Sequence, residues 1–193
     1  MAKTRSDIIT LPNRHLRDRS TKVGLIDEDV LKLVKDMESA TLDWEDHRKH
    51  EVGVALAAIQ IDVPMRVVIV RNDFDKKSDR TFHSFINPKI TKYEGELIED
   101  FEGCLSVKDI YGKVPRYTKV KLTATGLDGK QIRLSAEGFL ARVLQHEIDH
   151  TNGKVFIDHI KGQPEAFYKL NQDGELEKID YEKDIANSNL FRE

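Results

Sequence analysis

The chain has 193 residues, 39% of them hydrophobic and 34% charged, with a formal net charge of −3. Such a length and balance predict one globular domain with a real core and a well-charged surface. The charge gives no ground for nucleic-acid binding, and no apolar run approaches membrane-spanning length.

Met1 to Thr10 lacks the apolar centre of a signal peptide. Arg5, Arg14, Arg17 and Arg19 leave an organelle transit peptide open, while Asp7 and Asp18 count against one. The single cysteine, Cys104, excludes an intramolecular disulfide and fits a reducing cytosol.

Ile8 to Arg17 reads as extended or turn-like, interrupted by Pro12 and Asn13. An amphipathic helix is expected from Asp27 to Asp46, with Val30, Leu33, Val34, Met37, Thr41 and Trp44 on one stripe. Asp27 is its expected N-cap. Glu51 to Ile61 is rich in small residues (Gly53, Ala55, Ala57, Ala58), which permit close approach of a backbone or a substrate. Gln60 lies within this apolar stretch and needs a partner or a ligand.

Met65 to Arg71 is a β-branched strand, followed by a polar loop from Asp73 to Arg80. Thr81 to Asn87 is expected to pair with it and to stop at Pro88. Glu94 to Asp100 suggests a short edge strand. Lys119–Gly126 and Gln131–Ser135, joined through Asp128-Gly129, read as a hairpin. Ser135 is the expected cap of a second helix from Ala136 to Thr151, with Phe139, Leu140, Val143, Leu144 and Ile148 on its apolar side. Asn152-Gly153 marks its end. The tail from Pro164 is polar and acidic, with a small hairpin expected about Gln172-Asp173-Gly174.

The second helix carries Gln145-His146-Glu147-Ile148-Asp149-His150. Residues four apart share a helix face, so both imidazoles can reach one metal ion, and Glu147 lies close enough to meet a water there. A catalytic site needs a further ligand, and the candidates are a carboxylate, another His, or Cys104. One protease group continues this pattern to a third histidine, but Phe156 occupies that place and His159 comes three residues later.

Cys104 lies in Glu102-Gly103-Cys104-Leu105-Ser106. Together with Gly53–Gln60 and Gln145–His150, in this order, the stretch resembles the peptide deformylase family. The resemblance covers Ile8 to Ile160 and includes the Pro12–Arg17 element and the Asp-Gly hairpin. Two departures stand out. Ala55 replaces the second glycine of the first motif, and the tail is acidic where bacterial members commonly end in a basic helix.

The resemblance implies a hydrolase that removes the N-formyl group from the formyl-methionine of new polypeptides. In that reading Cys104, His146 and His150 bind one divalent ion. Fe(II) is favoured, with Zn(II), Ni(II) and Co(II) open. Glu147 transfers protons, while Gln60 and Leu105 meet the developing oxyanion. Gly53, Val54, Ala55, Glu102, Gly103, Phe139 and Val143 are candidate substrate contacts, with Arg116 a candidate partner of Glu102. Asp149 is assigned a supporting or capping role. The expected fold is α+β: antiparallel β-sheets packed around a central metal-binding helix, with an N-terminal amphipathic helix. Residues 1–162 are expected to form the catalytic domain and 163–193 a tail belonging to it. The expected partners are N-formylmethionyl nascent peptides at the ribosome, met by a monomer in the bacterial cytoplasm, without membrane or nucleic acid. Three alternatives stand beside this one: a deformylase-like binder of formyl peptides or metal with little turnover, a His-Glu-x-x-His metallopeptidase, and a purely structural metal domain.

Overall fold

The computed structural model describes residues 2–74 and 76–191. Asp75, in the expected polar loop, and the last two residues of the tail lie outside the described residues.

Helix α1 spans Glu28–Asp46, and Asp27 caps it by accepting from the Val30 N–H at 3.1 Å. Val30, Leu33, Val34, Met37 and Thr41 are buried, as the period predicts. They pack on a core layer that includes Leu56, Val67 and Ile69. The small-residue stretch becomes a short strand, β1 (Ala55–Ala57), then a 3-10 turn from Ala58 to Ile61. Strand β2 (Val67–Arg71) pairs antiparallel with β1 on one side and with β3 (Phe82–Cys104) on the other.

Three expectations change here. Strand β3 does not stop at Pro88; it runs 23 residues, and the expected edge strand Glu94–Asp100 is part of it. Its partner β4 (Val107–Thr125) is nearly as long. Proline is tolerated because the register shifts between Ile86 and Lys89, so no regular ladder bond is lost there. Asn87, with φ of 53°, occupies the irregularity, and its N–H bonds Arg66 O at 2.8 Å. Further shifts at Ile90/Lys92 and Glu94/Leu97 interrupt the regular pairing of this long ribbon.

Ser135 does not cap the second helix. Strand β5 (Gln131–Glu137) carries it, paired with Lys121 of β4. The chain turns at Gly138, whose φ of 58° suits a residue without a Cβ, and α2 runs Gly138–His150. The hairpin of β4 and β5 is present, with a turn whose Gly129 has φ of 76°. Finally, all the strands join one seven-stranded sheet, not separate sheets, with β5 branching from β4.

The tail forms the hairpin β6 (Phe167–Leu170) and β7 (Leu176–Lys178). Strand β6 pairs antiparallel with Ile110–Gly112 of β4. Phe167 and Ile185 bury the tail against Val107, Val114, Phe156 and Ile160. Among the described residues no helix is long and apolar enough to cross a membrane.

Candidate metal centre and its cavity

Helix α2 lies against β1, β4 and β5, and its polar motif points inward. Gln145 ties it to the sheet: its amide donates to Tyr117 O at 2.8 Å and accepts from Tyr117 N at 3.2 Å. His146 and His150 are buried, with ring centroids 5.0 Å apart. The turn between β3 and β4 brings Cys104 to the same spot, with Sγ 3.2 Å from His150 Nε2. One donor atom from each of Cys104, His146 and His150 lies within 4.8 Å of the others. Phe156, at the place of a third histidine, stacks on His146 with centroids 6.1 Å apart.

The donor set fits a divalent ion on several grounds. A thiolate with two imidazoles suits Fe(II), Co(II), Ni(II) or Zn(II). The Glu102 carboxylate takes His146 Nδ1 at 2.9 Å, which directs Nε2 toward the sulfur. Burial alone would lower the pKa of His146, but the Cys104 sulfur and Glu102 pull it well up. Positive charge on this ring is thus stabilised by its two neighbours. Burial and the charge of His146 push His150 well down, toward the neutral imidazole a metal requires.

Glu102 is the hub behind the centre. Its two oxygens accept from Arg116 Nε at 2.9 Å and Nη2 at 3.1 Å, and from Arg142 Nη1 at 2.9 Å. Burial raises its pKa, yet His146 and Arg116 outweigh this and hold the carboxyl well below the usual carboxylate range. Arg116 also binds Asp149 Oδ2 at 2.5 Å, and His159 Nε2 reaches the same oxygen at 2.7 Å. Asp149 is thus a partly buried partner of Arg116 and His159.

Glu147 is buried, and its Oε2 makes no hydrogen bond. Burial lifts its carboxyl to about 7. Gln60 is held from two sides: Ala57 N–H donates to Oε1 at 2.9 Å, and Nε2 donates to Ser106 Oγ at 3.1 Å. The same Nε2 stands 3.5 Å from Cys104 Sγ, so the amide faces the donor set.

These groups line a cavity of about 310 Å³. Of the sequence candidates, Gln60, Cys104, Leu105, His146 and Glu147 line it, as do Val54, Ala55, Glu102, Gly103, Phe139 and Val143. His150 lies behind this surface, fully buried. Gly53 does not line the cavity; it is packed against Thr41 of α1, where a Cβ would come within 2.6 Å of the Thr41 methyl. Its N–H bonds the buried Glu45 at 2.9 Å, and its carbonyl accepts from the buried Arg71 at 3.2 Å. Packing against α1 is therefore sufficient to require a glycine at position 53.

Sequence reasoning missed Arg142 and Tyr111. Arg142 is a charged residue four positions before His146 on the same helix face, and that spacing was its signal. Its guanidinium reaches Glu102 and the carbonyls of Ile98 and Val114, the last two at 2.7 Å. Tyr111 covers Gly103, where a Cβ would meet its ring at 2.5 Å, and its hydroxyl donates to Glu51 Oε1 at 2.6 Å.

A thiol and two imidazoles converging in a cavity beside a buried free carboxylate define a class, the metal-dependent hydrolases. Comparison with known proteins narrows it. The polypeptide deformylase family profile matches residues 5–165, and the chain belongs to that family. It is 41% identical over 154 residues to the peptide deformylase of Agrobacterium fabrum, covering 79% of this chain and 85% of that one. The Thermomicrobium roseum peptide deformylase is 36% identical over 171 residues, covering 87% of this chain and 93% of that one. Among solved structures, the Synechococcus elongatus peptide deformylase in complex with actinonin matches with a TM-score of 0.73 and 29% identity, covering 81% and 80% of the two chains. A Legionella pneumophila peptide deformylase matches with a TM-score of 0.70 and 36% identity, covering 82% and 86%.

Proposed function

We propose that this chain hydrolyses the formamide of N-formylmethionyl peptides, with Cys104, His146 and His150 holding one divalent ion and Glu147 moving the proton. The observation that carries this is the convergence of those three donors beside the buried Glu147 in one cavity. A divalent ion held there would act as a Lewis acid on the formyl carbonyl and make an attacking water more acidic.

Glu147 takes a proton from water as its oxygen adds to the formyl carbon. It then returns the proton to the departing nitrogen, because an amine leaves poorly unprotonated. The C–N bond breaks, giving formate and a free N-terminal methionine. Gln60 Nε2 and the Leu105 N–H meet the negative charge that builds on the formyl oxygen; one such donor is typically worth about 2.7–4 kcal/mol. Glu102, locked by two arginines, holds the ring of His146 in its required orientation. Phe139 and Val143 offer an apolar surface at the cavity for the methionine side chain.

Ferrous iron is the proposed native ion, on the strength of the mixed sulfur and nitrogen donors and the family resemblance. The bacterial relatives, named peptide deformylases, support formylated chains as the substrate; a bacterial cytoplasm, action on nascent chains at the ribosome and a monomeric enzyme are proposed with it. Residues 1–162 are proposed as the catalytic unit. The pairing of β6 with β4 supports counting the tail in the same domain. The test is formate release from formyl-Met-Ala-Ser by protein purified without air and loaded with Fe(II), Zn(II), Ni(II) or Co(II) in turn. No formate with any ion, or cleavage of internal peptide bonds instead, would overturn the assignment.

A further inference from the structure

The C-terminal hairpin lies beyond the residues matched by the family profile, which ends at 165. It is nonetheless joined to the cavity at three places. In the ladder, Tyr168 of β6 stands opposite Tyr111 of β4, the residue whose ring covers Gly103. The Tyr168 ring also meets Phe101 edge-on, with centroids 4.9 Å apart and planes at 87°. The Lys113 ammonium sits over both rings, 5.2 Å from that of Phe101 and 5.8 Å from that of Tyr168. Further out, the turn between β6 and β7 approaches His50 so closely that a Cβ on Gly174 would stand 2.8 Å from its ring. Phe101, Tyr111 and His50 all line the cavity that holds Cys104, His146 and Glu147.

These contacts fall on the side by which a long substrate must leave. His146, Glu147 and Val143 are buried where they line the cavity, whereas His50, Lys108 and Asp109 are exposed at its mouth. A formylated nascent chain has its reacting group inside and every later residue running outward. The segment after the methionine therefore passes the wall made by Phe101, Tyr111 and His50. Tyr111 is also tied across the mouth to Glu51 at 2.6 Å, and Arg48 joins Glu51 at 3.2 Å and Asp109 at 2.6 Å. The wall is thus held from the inside by this network and from the outside by the hairpin.

We propose that the C-terminal hairpin, through Tyr168 and the turn at Gly174, is a specificity element that fixes the wall along which the peptide following the formyl-methionine lies. The idea rests on the deformylase reading above and adds a role for residues outside the family match. Tyr168 acts through Phe101 and Tyr111, so it is a positioning residue. Its effect must then depend on how much peptide reaches the wall.

The test compares formyl-Met-Ala with a formylated hexapeptide beginning Met-Ala-Ser, using the full-length, metal-loaded protein. Tyr168→Ala is expected to raise KM for the hexapeptide about two- to tenfold, the range expected for losing one aromatic pair. It should leave kcat and the KM for formyl-Met-Ala within about twofold, since an aromatic pair outside the centre does not enter the bond-breaking step. Tyr168→Phe keeps the ring and should restore the wild-type KM. His50→Ala, at an exposed position where misfolding is not expected, should show the same dependence on peptide length. Binding of unformylated Met-Ala-Ser-Ala-Ala-Ser, read by calorimetry, should weaken in parallel in both alanine variants. Equal KM changes for the two formyl substrates, or a loss carried by kcat alone, would make the hairpin merely structural and overturn the proposal. No formate from the wild-type protein would instead defeat the deformylase reading beneath it.

Discussion

Glu102→Gln should damage stability and metal binding together, although it changes only one oxygen to an amide nitrogen. Each carboxylate oxygen now accepts two hydrogen bonds: Oε1 from Arg116 Nε and Arg142 Nη1, Oε2 from Arg116 Nη2 and His146 Nδ1. An amide supplies one acceptor oxygen, so in either orientation two of these four donors face an NH2 group. The charge is lost as well, leaving Arg116 and Arg142 with Asp149 as the remaining carboxylate in the network. Glu102 is only 6% exposed, so water does not replace it. Removing one partner of a buried ion pair typically costs about 3–5 kcal/mol. For a domain of this size that corresponds to a fall in Tm of roughly 6–20 °C. Losing the group that orients a metal-binding histidine typically weakens the metal about 10–100-fold. The assays are urea unfolding of the metal-free protein and a competitive zinc titration. Unfolding free energy within about 1 kcal/mol of wild type, together with unchanged zinc affinity, would refute the hub role of Glu102.

Three further outcomes follow from the same geometry. Cys104→Ala should empty or cripple the centre, because two imidazoles hold a divalent ion weakly; full metal occupancy in the purified variant would remove Cys104 from the ligand set. Glu147→Ala should keep its metal and lose about 10²–10⁴-fold in formate release, the usual worth of a general acid–base group. Metal lost in step with activity would make Glu147 a ligand or a structural residue. Ala55→Gly should lower stability by about 1–2 kcal/mol, from one buried methyl and the entropy of glycine in a strand. A small rise in kcat/KM at unchanged metal content would show that the methyl crowds the substrate, and an unchanged or lower value would refute that crowding.

The structure settles one ambiguity about Ala55 that the sequence left open. A glycine there could serve closeness of approach or a positive φ. Among the described residues the non-glycine positions with positive φ are Asp62, Asn87 and Asp109, so Ala55 sits in ordinary strand geometry, paired with Val70. Backbone strain is thereby excluded, and only the steric question at the cavity wall survives.

What could be read beforehand was what local chemistry dictates. Helix α1 has its stripe and its cap, β2 its β-branched run, and the β4–β5 hairpin its Asp-Gly turn. The donors on α2 follow from helical spacing, and the family resemblance supplied Cys104 and Gln60. The long ribbon was not legible, because Pro88 read locally as a stop and Glu94–Asp100 as a separate edge strand, whereas the ladder absorbs Pro88 and Gly95 at register shifts. Ser135 looked like a cap because a cap and a strand end share residue types; pairing with Lys121 decided between them. The buried charges were the least visible. Arg71, Glu45, Arg116 and Arg142 are each less than 9% exposed, yet a charged residue in sequence is ordinarily a surface residue. They can be buried only because each finds its partners from distant segments: Arg71 reaches Glu45 of α1, and Arg142 reaches carbonyls of β3 and β4. Such partners are fixed by topology and leave no periodic mark. The same holds for the tail, whose acidic composition suggested a solvated end. Phe167 and Tyr168, on opposite faces of β6, pack against the core and against Phe101, and β4, with Ile110 to Gly112 unclaimed by β5, gives the strand an edge to join. A segment with no place in the family's motifs therefore ends against the wall of the cavity those motifs build.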